Sequence, residues 1–345
     1  MNVLIVKLSA LGDVIQAIPT FEALRRQYPR AHIGWLVEEE AADILRYYPG
    51  LDELLVCPRR RWLGGLRAAR PGAATDFLRF CRLLRRRRYD AVVDLQGLLK
   101  SGLWVALARG TRKIGFNGAR EASWKFLNER LPSYDPNRHA LERYLDVARY
   151  LGAEAGRTSI RDLWNRAEGA QIKRRLARIT RETRRLVVCH PMSRWPTKLW
   201  PEDRFAHLAR KIAEDLKASV VFTGGAADRG KVSRIIYQAG CQEIFNWAGT
   251  TNLRELAYLY KHAALVIAVD SGPMHLAALL GTQVVALFGP TAPWRTGPYG
   301  EGHTVLWAGL DCSPCFQKSC NTMQCMAAIT VKDVMEAVAG QLEKE

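Results

Sequence analysis

Short apolar runs alternate with helical patterns twice along this chain, and this double series limits the fold more than any other feature. The first series has strand-like runs at 3–8, 32–37, 53–57, 91–95 and 113–116; the second has them at 186–189, 219–223, 243–246, 265–269, 283–288 and 303–307. Strand and helix in alternation predict parallel sheets covered by helices on both faces. A length of 345 residues also exceeds the roughly 250–300 at which a single core tends to divide. The stretch 151–185, rich in Arg and Lys, breaks the rhythm and reads as a connection plus one charged helix. The expected division is one domain over 1–160, the linker and helix over 161–185, a second domain over 186–329 and a closing helix over 330–345. That last helix is expected to start at Thr330, with Asp333 completing a capping-box pattern. The expected class is therefore α/β, two Rossmann-like doubly wound domains with a site in the cleft between them.

In open parallel sheets, ligands sit outside the carboxyl ends of the strands. The segment Val3 to Pro19 places Lys7, Ser9, Gly12 and Asp13 at such an end, with a helix expected to open at Asp13. A cation beside a carboxylate points to an anionic ligand and a base; the same Asp13 could serve only as a helix cap, worth about 1 kcal/mol. In the second series, Asp270, Ser271 and Gly272 form a tight turn and Pro273 stands at the first helical position. Free amides at that helix start, with its positive dipole end, make a cradle for a diphosphate. Asp270 is placed to hold a ribose or sugar hydroxyl or to cap the helix, and His275 to meet an oxyanion or to pack. Lys198, in a loop stiffened by Trp195, Pro196, Trp200 and Pro201, has the reach to meet a phosphate as a point charge, and Thr291 follows another strand into the same region. No G-x-G-x-x-G follows either first strand and no G-x-x-x-x-G-K-[ST] occurs, which argues against nicotinamide-dependent dehydrogenases and P-loop hydrolases. There is no Asp-x-Asp pair to hold a divalent ion on a nucleotide diphosphate.

Lys+Arg 51 against Asp+Glu 34 gives a net charge of +17, which points to a polyanionic partner. The excess is concentrated: between Cys57 and Arg88 stand eleven arginines, Arg70 among them, against the single acid Asp76. Trp62, Leu66 and other apolar residues are interleaved with them. Phe77, Phe80, Cys81 and Leu84 share one helical face while Arg79, Arg82 and Arg86 lie elsewhere on the wheel, an amphipathic pattern. The segment 57–88 reads either as a contact for an anionic membrane surface or as a solvated arginine face on a core-packed helix. A nucleic-acid partner is not expected, because these arginines lie beside apolar helix faces and not among stacking platforms. No run of 18 apolar residues occurs and a strand opens the chain, so a cytoplasmic protein without a membrane span is expected. Of eight cysteines, Cys312, Cys315, Cys320 and Cys325 form C-x2-C-x4-C-x4-C, compatible with a thiolate zinc site or with free thiols.

These segments together resemble glycosyltransferase family 9, the lipopolysaccharide heptosyltransferases of GT-B fold, and most closely the branch that adds the first heptose to Kdo-lipid A. The resemblance rests on Val3-Leu-Ile-Val-Lys7 with Gly12-Asp13-Val14, Arg60-Arg61-Trp62, Asp94-x-Gln96-Gly97-Leu98-x-Lys100-Ser101, Ala119-Arg120-Glu121, His139-Ala-x-Glu-Arg143, Thr197-Lys198-x-Trp200-Pro201 and the turn from Asp270 to His275. It implies inverting, metal-independent transfer of heptose from ADP-heptose, with no cofactor, by a monomer at the cytoplasmic face of the inner membrane. It implies Asp13 as catalytic base and Lys198 as diphosphate ligand. Thr197, Asp228, Asp270, Ser271, Gly272, His275 and Thr291 would serve the donor, with the acid for the ribose falling near Asp228-Arg229. Lys7, Arg60, Arg61, Gln96, Lys100 and Arg120 would serve the acceptor, the arginines gripping its phosphates and carboxylates. The first domain would then bind acceptor and the second nucleotide sugar. A transferase acting on a later core acceptor and a sugar-nucleotide epimerase are the alternatives.

Overall fold

The computed structural model describes residues 1–68, 71–154, 156, 159–179 and 185–343, except the side chain of Leu66; Leu66 and Arg70 of the arginine-rich segment thus lie outside the described residues. The chain forms two compact units, Met1–Thr158 and Ser159–Glu345. The first contains strands β1 (Asn2–Val6), β2 (His32–Glu38), β3 (Glu53–Cys57), β4 (Tyr89–Asp94), β5 (Gly110–Phe116) and β6 (Glu129–Leu131). They pair in parallel in the order β3-β2-β1-β4-β5-β6. The second contains β7 (Leu186–His190), β8 (Ser219–Phe222), β9 (Ile244–Asn246), β10 (Leu265–Val269), β11 (Val284–Phe288) and β12 (Thr304–Trp307), in the order β12-β11-β10-β7-β8-β9. Counted from its own first strand, the second sheet repeats the order of the first, 3-2-1-4-5-6, the doubly wound arrangement of nucleotide-binding folds.

The composition of the strands explains this placement. Val3, Leu4, Ile5 and Val6 are wholly buried, and so are all five residues from Leu265 to Val269, so β1 and β10 can only be central strands with helices on both faces. In each sheet the order reverses beside these strands, between β1 and β4 and between β7 and β10. At those two points the connecting loops part and open a crevice.

Three local findings refine the sequence reading. The strand β6 was not expected. The helix after β1 runs from Leu11 to Gln27 with Ala10 as its N-cap, so Asp13 stands three residues inside and not at the opening. In the arginine-rich segment, the helix Ala73–Leu84 packs inward through Phe80 and Leu84, and the Phe80 ring lies 5.1 Å from Trp62 and 5.4 Å from Trp104. Leu63, Leu78 and Leu83 remain exposed beside its arginines. Among the described residues no helix is long and apolar enough to cross a membrane.

The closing helix Val331–Leu342 starts as expected: the Asp333 amide donates to Thr330 Oγ1 at 3.2 Å and the Thr330 amide to Asp333 Oδ2 at 2.9 Å. Thr330→Ala removes one of these reciprocal bonds, so chemical denaturation of the variant should show about 1 kcal/mol less stability with an unchanged denaturant slope.

Candidate active site

At the first reversal point the loop after β1 meets the loop after β4. Gln96 Oε1 accepts the amides of Leu8 at 3.1 Å and Ser9 at 3.0 Å, which fixes the β1 loop against the β4 loop. Gly97 has φ 66°, a left-handed conformation that glycine adopts without strain. Asp94 holds that turn: its Oδ1 accepts the Gln96 and Gly97 amides and its Oδ2 the Ser101 hydroxyl. Burial pushes the Asp94 carboxyl above its usual range against the pull of these bonds.

Lys7 is buried behind this loop, not presented at its surface. Its ammonium donates to the Tyr144 hydroxyl at 2.8 Å and to the Leu95 carbonyl at 3.2 Å. Burial alone would depress it, but its contacts with Tyr144 and the charges of Asp13 and Asp94 outweigh that and hold Lys7 above its ordinary value. Asp13 is half-buried and accepts the Ala10 amide with Oδ2 at 3.0 Å. It does close the first helical turn, yet only one of its two oxygens is used for that.

A second knot ties β2 to the same loop. Lys100 donates to Ser9 Oγ at 2.6 Å and to Glu38 Oε1 at 3.0 Å, and Arg59 donates to Glu38 at 2.8 Å. Burial opposes the charge of Glu38, but Arg59 and Lys100 prevail and hold its carboxyl below the usual range. Arg60 is 73% exposed and pairs with Glu40 at 2.6 Å, while Arg61 and Arg120 are exposed. Lys7, Asp13, Gln96 and Lys100 thus come together as expected from sequence. Glu38 and Tyr144, which anchor them, were missed. Glu38 could have been found as the acidic last residue of an otherwise apolar strand.

At the reversal point of the second sheet, Lys198 lies 2.6 Å from Asp270 Oδ2, which also accepts the Thr291 hydroxyl at 2.6 Å. Ser193 donates to the Asp270 carbonyl, a partner the sequence reading missed. The Trp195 ring faces the ammonium groups of Lys198 at 4.6 Å and Lys318 at 5.3 Å. Ser271 is the N-cap of the helix Gly272–Leu279, and among the described residues its buried hydroxyl finds no hydrogen-bond partner. His275 is buried one turn into that helix. Thr197 is buried and donates to the Gln317 carbonyl at 2.7 Å, holding a neighbouring loop. Asp228 accepts the Gly225 amide at 2.8 Å, and its charge acts on His190. Burial outweighs that charge and pushes His190 down to about 4, so its imidazole is neutral at pH 7.

Cys312, Cys315 and Cys320 are exposed and Cys325 is buried, all as free thiols. Among the described residues no three or more metal-ligating side chains stand together, so the geometry does not fit a preformed zinc site.

The sequence pattern of glycosyltransferase family 9 (heptosyltransferase) matches residues 77–326. The chain belongs to that family. It is 32% identical over 323 residues to a lipopolysaccharide heptosyltransferase 1 from Pseudomonas aeruginosa, covering 93% of this chain and 87% of that one. Solved structures of the Escherichia coli heptosyltransferase WaaC with ADP and with ADP-2-deoxy-2-fluoro heptose superpose with TM-scores of 0.79 and 0.78 at 24% identity. Each covers 99% of this chain, and 100% and 99% of the respective WaaC chain. This family 9 chain is therefore a glycosyltransferase of GT-B fold, and the epimerase alternative falls away.

The Glu38 knot gives a pH-dependent expectation for this glycosyltransferase. Glu38→Gln should lower stability by about 1.5 kcal/mol at pH 7, since a hydrogen-bonded charge is lost from a nearly buried site. A carboxyl depressed in the folded state stabilises above its unfolded value, about 4.3, and that contribution disappears as pH falls through the lower folded value. Denaturation curves of the wild type and variant should therefore converge in acid.

Proposed function

We propose that this transferase moves L-glycero-D-manno-heptose from ADP-heptose to a Kdo hydroxyl of Kdo-lipid A, building the lipopolysaccharide inner core. The observation that carries this reading is 32% identity to a heptosyltransferase 1 across 93% of the chain. Asp13, which caps the first turn with Oδ2 alone and whose charge acts on the ammonium of Lys7, is suited to general-base work through its other oxygen. Asp13 takes the proton of the attacking hydroxyl as its oxygen bonds to the anomeric carbon. The bond from that carbon to the diphosphate breaks with inversion, and ADP leaves. Lys198, the amides before Pro273 and the free Ser271 hydroxyl stabilise the charge that develops on the diphosphate. Thr197, Asp228, Asp270, Gly272, His275 and Thr291 complete the donor side; Arg60, Arg61, Gln96, Lys100 and Arg120 serve the acceptor. No metal or cofactor is assigned a role, following the lack of an Asp-x-Asp pair.

The arginine-rich segment, with exposed Leu63, Leu78 and Leu83 beside it, suits peripheral contact with an anionic cytoplasmic leaflet, where lipid A precursors would be met by a monomer.

Two measurements test this function. Mass analysis after incubation with ADP-heptose and Kdo-lipid A should show one heptose added, with or without chelator; ADP release without that mass gain overturns the acceptor. Turnover of Asp13→Asn and Asp13→Ala should each fall about 10²- to 10⁴-fold. The Asn variant separates the roles of Asp13, because its amide oxygen can still accept the Ala10 amide but cannot take a proton. Near-normal turnover in Asp13→Asn would leave Asp13 a cap alone.

A further inference from the structure

Beside the Lys7–Tyr144 contact lies a small open recess of about 60 Å³ lined by Asp94, Gln96, Phe116, Tyr134, Arg143 and Tyr144, among others. Arg143 projects from the helix Ala140–Tyr150, whose other charges are satisfied locally. Glu142 and Asp146 are shared between Arg138 and Arg149. Arg143 has no such acid: among the described residues no carboxylate pairs with it, and its buried Nε has no hydrogen-bond partner. Its guanidinium lies 4.5 Å from the centre of the Tyr134 ring, which is itself braced edge-on by Phe116 at 5.1 Å. A guanidinium resting on an aromatic ring keeps its N–H groups available to a planar anion. A half-buried cation without a partner is costly, and a ligand anion would satisfy it.

Two further donors border the same space. Because Gln96 Oε1 already takes two backbone amides, the orientation of its side-chain amide is settled and its Nε2 is left to donate. The Tyr144 hydroxyl accepts from Lys7 and retains its own proton to give. The recess therefore offers one unpaired cation and neutral donors, with the Asp94 carboxylate in its wall. This set suits a monoanionic, planar carboxylate and disfavours a phosphate dianion. Of the other cations assigned to the acceptor, Arg60 is paired with Glu40, Lys100 with Glu38 and Lys7 is buried, while Arg61 and Arg120 are exposed and do not line the recess. Asp13 lies close enough to act electrostatically on Tyr144, so an anion held here would bring its own sugar near the candidate base.

We propose that this recess is the subsite for the acceptor's sugar-acid carboxylate, held by Arg143 as a bidentate pair with help from Gln96 Nε2. The inference rests on the reading of the acceptor as a Kdo sugar, and moves its carboxylate from the exposed arginines to Arg143.

The test compares transfer from ADP-heptose to Kdo-lipid A and to the same acceptor with its Kdo carboxyls converted to methyl esters, using the full chain. Wild-type kcat/KM should fall about 10- to 100-fold on the ester. Arg143→Gln should lose a similar factor on the acid, discriminate little between acid and ester, and keep its KM for ADP-heptose. Arg143→Lys, which keeps the charge, should recover part of the discrimination and guards against a folding defect, checked by its melting curve. Full discrimination retained in Arg143→Gln, or equal losses on both acceptors, overturns the subsite alone. No transfer by wild type to either acceptor overturns the heptose-transfer reading and the subsite with it.

Discussion

The Gln96 amide oxygen bridges the point where the first sheet reverses its strand order, and the geometry of the loops there depends on it. The loop after β1 has left the sheet, so the Leu8 and Ser9 amides need an acceptor from elsewhere; Gln96 supplies one oxygen to both. That bond fixes Ser9, which receives Lys100, and through it the entry to the helix that carries Asp13. It also sets the direction of the Gln96 amide nitrogen. Behind it, Asp94 satisfies the backbone of the β4 loop, so the clamp is itself held by a buried acid. The clamp spans about ninety residues of sequence, yet its two ends are brought together simply because β1 and β4 are neighbours in the sheet.

Charge compensation sorts the many basic residues by purpose. Within the arginine-rich segment, Arg59, Arg60, Arg79 and Arg87 each face a carboxylate. The exposed members of these pairs contribute little to stability. Arg59 with Glu38 is different, because the acid is nearly buried and shared with Lys100. Net charge alone pointed to polyanions without choosing among residues. Pairing and burial distinguish them: Arg143 is half-buried against the Tyr134 ring, and among the described residues no carboxylate pairs with it.

Much of this was legible in the sequence, for a physical reason. Strands of a doubly wound sheet are buried on both faces and read as continuous apolar runs, which is why eleven of the twelve could be located. The twelfth, β6, is Glu129-Arg130-Leu131, too short and too charged to show a pattern; only pairing with β5 makes it a strand. The helix start was misplaced because its N-cap is Ala10, which has no capping side chain, so the first polar residue, Asp13, took its place in the reading. Candidate residues at strand ends could be named because the strand pattern fixes where the crevices of such sheets lie. Tyr144, 137 residues from Lys7, had no local signal, and the solitude of Arg143 depends on which acids its neighbours had already taken.

The pair of Lys198 and Asp270 shows how one carboxylate can hold two side chains. A lysine on a flexible stem loses rotamer entropy when it is fixed for phosphate contact. Asp270 Oδ2, also accepting Thr291, fixes it beforehand, and the Trp195 ring limits it on another side. Both side chains meet the same oxygen, Oδ2. The pair is nearly neutral as a unit, so the positive potential at this strand end comes chiefly from the helix amides before Pro273, whose dipoles need no counter-ion.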